Sequence, residues 1–135
     1  MLSLGFFEIT SGSFDLSDGA VILRLLCALF FVPHMYFKVV GNPPPASHTF
    51  IEAGYPKPLL FVRLALIVEF SVCLLLLLNI YTQYIALIAA GVLLVATLTV
   101  YFVNNKVPTW LWVKGGFEYP LFWAIACIAL SRLYS

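Results

Sequence analysis

Four stretches of this chain are apolar almost throughout, and the polar residues collect between them. The stretches cover about 19–40, 59–78, 82–103 and 118–133. Each approaches the ~20 residues that a helix needs to cross a bilayer. Asp15, Ser17 and Asp18 offer capping oxygens ahead of the first stretch, and Gly41-Asn42-Pro43-Pro44-Pro45 stops it. Only Asn79-Ile-Tyr81-Thr-Gln83 separates the second from the third, so those two are antiparallel neighbours. The third ends at Asn104-Asn105-Lys106. No strand is expected. The pattern predicts an all-α integral membrane four-helix bundle, a single transmembrane domain over residues 1–135.

Strict alternation puts the start of the chain, the 79–83 turn and the end of the chain on one side of the bilayer, side A. The loops 41–58 and 104–117 fall on side B, and long loops carry function more often than short ones. In the first loop Pro45 opens and Gly54 ends a two-turn helix. Phe50 and Ile51 would let that helix lie in the membrane interface. In the second loop Trp110 and Trp112 suit an aromatic belt, and Gly115-Gly116 makes a hinge before the fourth stretch. Side B also gathers Lys38, Lys57, Arg63, Lys106 and Lys114, which by the positive-inside rule makes it cytoplasmic.

Against this apolar background the charged residues inside the stretches stand out. Glu69 lies about 15 Å deep from side B, at ~1.5 Å per residue. An ionisable group at that depth is costly unless it has a partner or a task. His34 and Lys38 lie about 40° apart on one helical face, and Arg63 and Glu118 occupy the same half of the bilayer. Arg24 shares the face of Lys38 but lies deep toward side A. Pro33 has no N–H, so the carbonyl of Leu29 loses its helical partner beside His34. His34, Lys38, Arg63, Glu69, Trp110, Glu118 and Arg24 are therefore the candidate ligand-binding residues, around a cavity open to side B. Four groups able to carry positive charge against two carboxylates leave a surplus that suits an anionic or electron-rich ligand. The competing structural reading is a buried ion-pair network that only locks the helices.

Composition sharpens the class. The chain is 63% hydrophobic and 10% charged, where a soluble domain carries about a quarter charged residues. A net charge of +1 offers nucleic acid no basic surface. Lipid is the expected surrounding, and a multi-pass protein of the plasma (inner) membrane the expected setting. The first residues lack a basic stretch and a small-residue cleavage site, so they read as a retained N-terminus. Cys27, Cys73 and Cys127 all fall in apolar stretches without a CxxC spacing, and read as buried small hydrophobes. No metal or haem is expected: there are only two histidines, one of them in a loop. Ser47-His48 alone is not a hydrolase triad. Gly91, Ala86, Ala89, Ala90 and Ala96 read as close-packing positions of the third stretch.

Several of these elements recur together in a known order. Arg24, His34-x-x-x-Lys38-x-x-Gly41, Phe50-Ile-Glu-Ala-Gly54-Tyr-Pro56, Glu69 and Gly115-Gly116-Phe-Glu118-Tyr119-Pro120 resemble the DoxX family of small four-span membrane proteins. That family is similar to membrane subunits associated with thiosulfate:quinone oxidoreductases. The resemblance implies that His34, Lys38, Glu69 and Glu118 line the pocket of that fold. The chain departs from the family pattern at Met35, where a glycine is usual, and at Phe70, Ser71 and Val72 after the glutamate. Bulkier residues there should hold the helices apart or fill the cavity.

Three functions follow from these residues. The first is a membrane subunit of a redox complex that binds a quinone, with His34 donating to a carbonyl, Lys38 or Arg63 stabilising negative charge and Glu69 relaying protons. A partner redox protein would supply the electrons. The second is a non-catalytic accessory or assembly subunit of a larger membrane complex. The third is a path for a small anion, completed by Arg24.

Overall fold

The structure is a computed structural model, and it describes residues 11–41, 44, 46–103 and 118–135. All regular structure among them is helical. A 3-10 turn at Ser11–Phe14 is followed by α1 (Gly19–Leu29), α2 (Phe31–Val39), α3 (Ala46–Glu52), α4 (Pro58–Leu77), α5 (Thr82–Val103) and α6 (Glu118–Leu133). Three segments are long and apolar enough to cross a membrane: Gly19–Val39, Pro58–Leu77 and Thr82–Val103. Trp110, Trp112, Lys106, Lys114 and the Gly115-Gly116 pair lie outside the described residues.

Local chemistry fixes the helix ends. The Asp18 carboxylate accepts from Ala20 N–H at 2.9 Å and caps α1. α4 closes with the amide of Ile80 bonded to the Leu75 carbonyl and that of Asn79 to Leu76, with Asn79 at φ 57. This left-handed cap satisfies carbonyls that the helix itself leaves open. α3 ends the same way, with Gly54 at φ 88, Tyr55 N–H on the Phe50 carbonyl and Gly54 N–H on Ile51.

The first stretch is two helices rather than one. The interruption falls at Phe30, directly after Leu29, whose carbonyl is the one that Pro33 leaves without a donor. The interruption lies a turn earlier than His34, and Phe30 keeps helical backbone angles.

The core is made where α5 and α6 pack together and where α1 and α4 meet them. Ala86, Ala89 and Ala90 are buried at that packing and let the helices approach closely. Gly91 does not share that role: it is exposed, and a Cβ added there would meet nothing within 4 Å. Large apolar side chains such as Ile67, Phe70, Leu98 and Phe122 point outward. In a chain whose helices can span a bilayer, this is the surface that lipid covers.

Candidate functional site

A cavity of about 570 Å³ opens among α2, α3, α4, α5 and the start of α6. Most of its wall is apolar: Leu64, Ala65 and Val68 from α4, Val92, Leu93, Val95, Ala96 and Val100 from α5, and Phe31 and Trp123 from the helices opposite. A volume of this size falls in the range of small-molecule sites, which are typically apolar with a few placed polar groups.

The polar groups come from separate helices. Lys38 near the end of α2 meets Glu69 in the middle of α4. Its ammonium lies 3.1 Å from Glu69 Oε2 and 3.2 Å from Oε1, with both side chains about nine-tenths buried. Lys38 also reaches the His34 carbonyl at 3.5 Å. The carboxylate that looked costly in sequence thus has its counter-charge, supplied by the neighbouring helix. The His34 ring leans on Trp123 at 5.3 Å and Tyr119 at 6.0 Å between centroids. Among the described residues no hydrogen bond holds its imidazole, which lines the cavity with both ring nitrogens available.

A second polar patch comes from the loop after α3 and from α5. The Tyr55 hydroxyl lies 2.7 Å from Thr99 Oγ1, and Thr99 donates to the Val95 carbonyl at 2.9 Å. The threonine proton is engaged within its helix, so the tyrosine is the donor across the gap. Thr49 and Phe50 of α3 complete that wall.

The remaining candidates are placed elsewhere. Arg63 is exposed and does not line the cavity. Its helix is apolar on nearly every face, so periodicity gave no sign of which way it points. Glu118 opens α6 beside the cavity residues Tyr119 and Pro120, and its buried Oε1 has no hydrogen-bond partner among the described residues. Trp110 lies outside the described residues.

Arg24 is fully buried at the opposite end of the protein. Its Nε donates to the Leu76 carbonyl at 2.8 Å, Nη1 to the Tyr134 hydroxyl at 3.0 Å and Nη2 to the Ser13 carbonyl. The guanidinium therefore sits on the C-terminal carbonyls of α4, where a cation is favoured. It ties the start of the chain, α1, α4 and the end of the chain into one knot. With Arg24 and Arg63 away from it, the cavity is lined, among the described residues, by one cation and one carboxylate beside His34. The expected surplus of positive charge is not found among those residues.

Bulky side chains at the divergent positions do not fill the cavity. Met35, Phe70, Ser71 and Val72 are all absent from its lining. Phe70 points outward, and Val72 and Met35 pack into the core.

Sequence reasoning passed over Trp123, Tyr55 and Thr99. Trp123 carried a signal: it sits mid-segment, away from any interfacial belt, four residues from Tyr119 and so on the same face. Its indole N–H donates to the Cys27 carbonyl at 3.3 Å, which satisfies a buried donor.

These features define a helical membrane protein with a charged pair set in the wall of an apolar intramembrane cavity. The DoxX family model matches residues 19–102, more than half of the chain, and the chain belongs to the DoxX family. The match takes in α1 to α5 and ends before α6, so Tyr119 and Trp123 lie beyond it. No curated protein matches the chain, and no solved structure does.

Proposed function

We propose that this protein is a plasma (inner) membrane subunit of a redox complex that binds a quinone, or a related small amphiphile, in the cavity between α2 and α4. The observation that carries the reading is a mostly apolar cavity with the Lys38–Glu69 pair in its wall and, beside it, an imidazole with no hydrogen bond among the described residues. Such a site takes a ring and tail in its apolar part and orients the ring with few polar groups. In this reading α6 is the fourth span of a four-helix bundle. At 16 residues it is about 24 Å long, and it packs along α5. α3 lies in the interface with Ile51 outward and Phe50 toward the ligand.

A quinone supplies two-electron, two-proton chemistry when bound. His34 donates a hydrogen bond to one of its carbonyl oxygens. Lys38 holds positive charge near the ring, and Glu69 accepts or releases protons as its pairing with Lys38 tightens and loosens. A partner redox subunit delivers the electrons.

The near-neutral cavity favours this ligand over an anion. An anion path would need Arg24, whose three donor positions are already engaged. The accessory-subunit reading has one observation in its favour: Lys38 and Glu69 satisfy each other without a ligand. Quinone content of the purified protein separates the two. Wild type should carry quinone, His34→Ala up to about tenfold less and Glu69→Gln an intermediate amount, since one hydrogen bond between uncharged groups is worth ~0.5–1.5 kcal/mol. Equal content in all three would leave only the accessory role.

A further inference from the structure

Cys27 and Cys127 are a hundred residues apart in sequence and face each other in the fold. Both are buried, at 3% and 0% exposure. Cys27 belongs to α1 and Cys127 to α6, and these helices pack together. Trp123, one turn before Cys127, donates its indole N–H to the Cys27 carbonyl at 3.3 Å. That bond sets the 123–127 turn of α6 against Cys27, and the two thiols are near enough to interact. Burial alone would make them small hydrophobes. Two cysteines brought together from packed helices are also the starting point for a disulfide, which closes when the Cα atoms come within about 7 Å.

Their position relative to the cavity gives the pair a reactant. Phe31 follows Cys27 by one turn, as Trp123 precedes Cys127 by one. The Phe31 and Trp123 rings stack at 4.4 Å and both line the cavity. A single aromatic layer therefore separates the thiols from the ligand space. Both thiols are buried from the aqueous surface, and the nearest ligand-sized space lies on the other side of the Trp123 ring.

We propose that Cys27 and Cys127 are a redox-active dithiol, closed to a disulfide by a two-electron acceptor of the quinone class bound in the adjoining cavity. The proposal rests on the quinone reading of that cavity. In the step two S–H bonds break and one S–S bond forms. The two electrons and two protons pass to the carbonyl oxygens of the quinone, which leaves as hydroquinone. Reduction by a partner thiol returns the pair to its starting state. The closed disulfide pins α1 to α6 at the cavity floor, so the oxidation state of the pair also sets how freely that floor moves.

The test uses the full chain, reduced and embedded in lipid nanodiscs, with a decyl-chain benzoquinone whose ring is fully substituted so that thiols cannot add to it. Quinone binding is measured separately on Cys27→Ser, which cannot close the bond. Hydroquinone is followed by absorbance, free thiols by alkylation after denaturation, and the cross-link by mapping non-reduced peptides. The expected result is about one hydroquinone per chain, a Cys27–Cys127 cross-linked peptide and a Cys73 that still alkylates. Cys73→Ser should behave as wild type, and Cys127→Ser should form no hydroquinone. Bound quinone with all three thiols intact overturns the dithiol and leaves the binding site standing. A cross-link through Cys73 or between chains also overturns it. Absence of bound quinone overturns the binding site and the dithiol together. Should the serine variants fold poorly, quinone binding to wild type and its peptide map decide alone.

Discussion

Glu69→Leu should destabilise the protein by about 3–5 kcal/mol, the usual cost of removing one partner of a buried ion pair. The ammonium of Lys38 would stay in an apolar wall with, among the described residues, the His34 carbonyl at 3.5 Å to answer it. Lys38→Met should cost a similar amount from the other side. The double variant Lys38→Met, Glu69→Leu removes both charges and replaces them with side chains that suit the wall. It should recover most of the loss and match wild type within about 1–2 kcal/mol, since buried pairs are often neutral against well-packed apolar residues. Thermal or denaturant unfolding in one detergent measures all four proteins. A double variant as unstable as the two losses added would give no coupling between them and would show that the two charges do not act as a pair. A double variant that is stable but empty of ligand would place the value of the pair in binding.

The second large effect belongs to Arg24. Arg24→Leu removes at once three donations, to the carbonyl of Leu76, the carbonyl of Ser13 and the hydroxyl of Tyr134. Stability should fall by about 2–4 kcal/mol, since each such bond is worth ~0.6–1.7 kcal/mol inside a membrane protein and charged ones reach higher. Arg24→Lys should recover less than half, because one ammonium cannot serve acceptors in three directions. Hydrogen exchange should quicken together at residues 11–18, at the 79–83 turn and at the C-terminus. Unchanged exchange at those three places would mean that the knot contributes nothing, and a cavity ligand lost in Arg24→Lys would mean that Arg24 acts beyond it.

How far the sequence could be read follows from these two residues. Depth along a helix is simple arithmetic, so Lys38 and Glu69 were expected in the same half of the bilayer, and their side chains meet. Arg24 was expected deep toward side A and is found there too. Its partners were not legible, because the Leu76 carbonyl becomes an acceptor only through the turn geometry of Asn79. Arg63 shows the opposite limit. α4 is apolar all round, so its sequence sets depth but leaves rotation open. An interruption of the first stretch was legible in Pro33, though not its placement at Phe30. The Tyr55–Thr99 bond joins a loop to a helix over 44 positions, a pairing that no local pattern encodes. The cysteine pair lacks a local signature for the same reason.

The central claim is that side chains from separate helices build one ligand cavity inside the membrane. A photoactivatable azidoquinone, cross-linked to the protein in lipid and mapped by peptide sequencing, tests it most directly. The account predicts labels on cavity residues such as Phe31, Val68, Val92 and Trp123, displaced by excess unlabelled quinone. Labels spread over the outward residues Ile67, Phe70 and Leu98, and untouched by competitor, would contradict it.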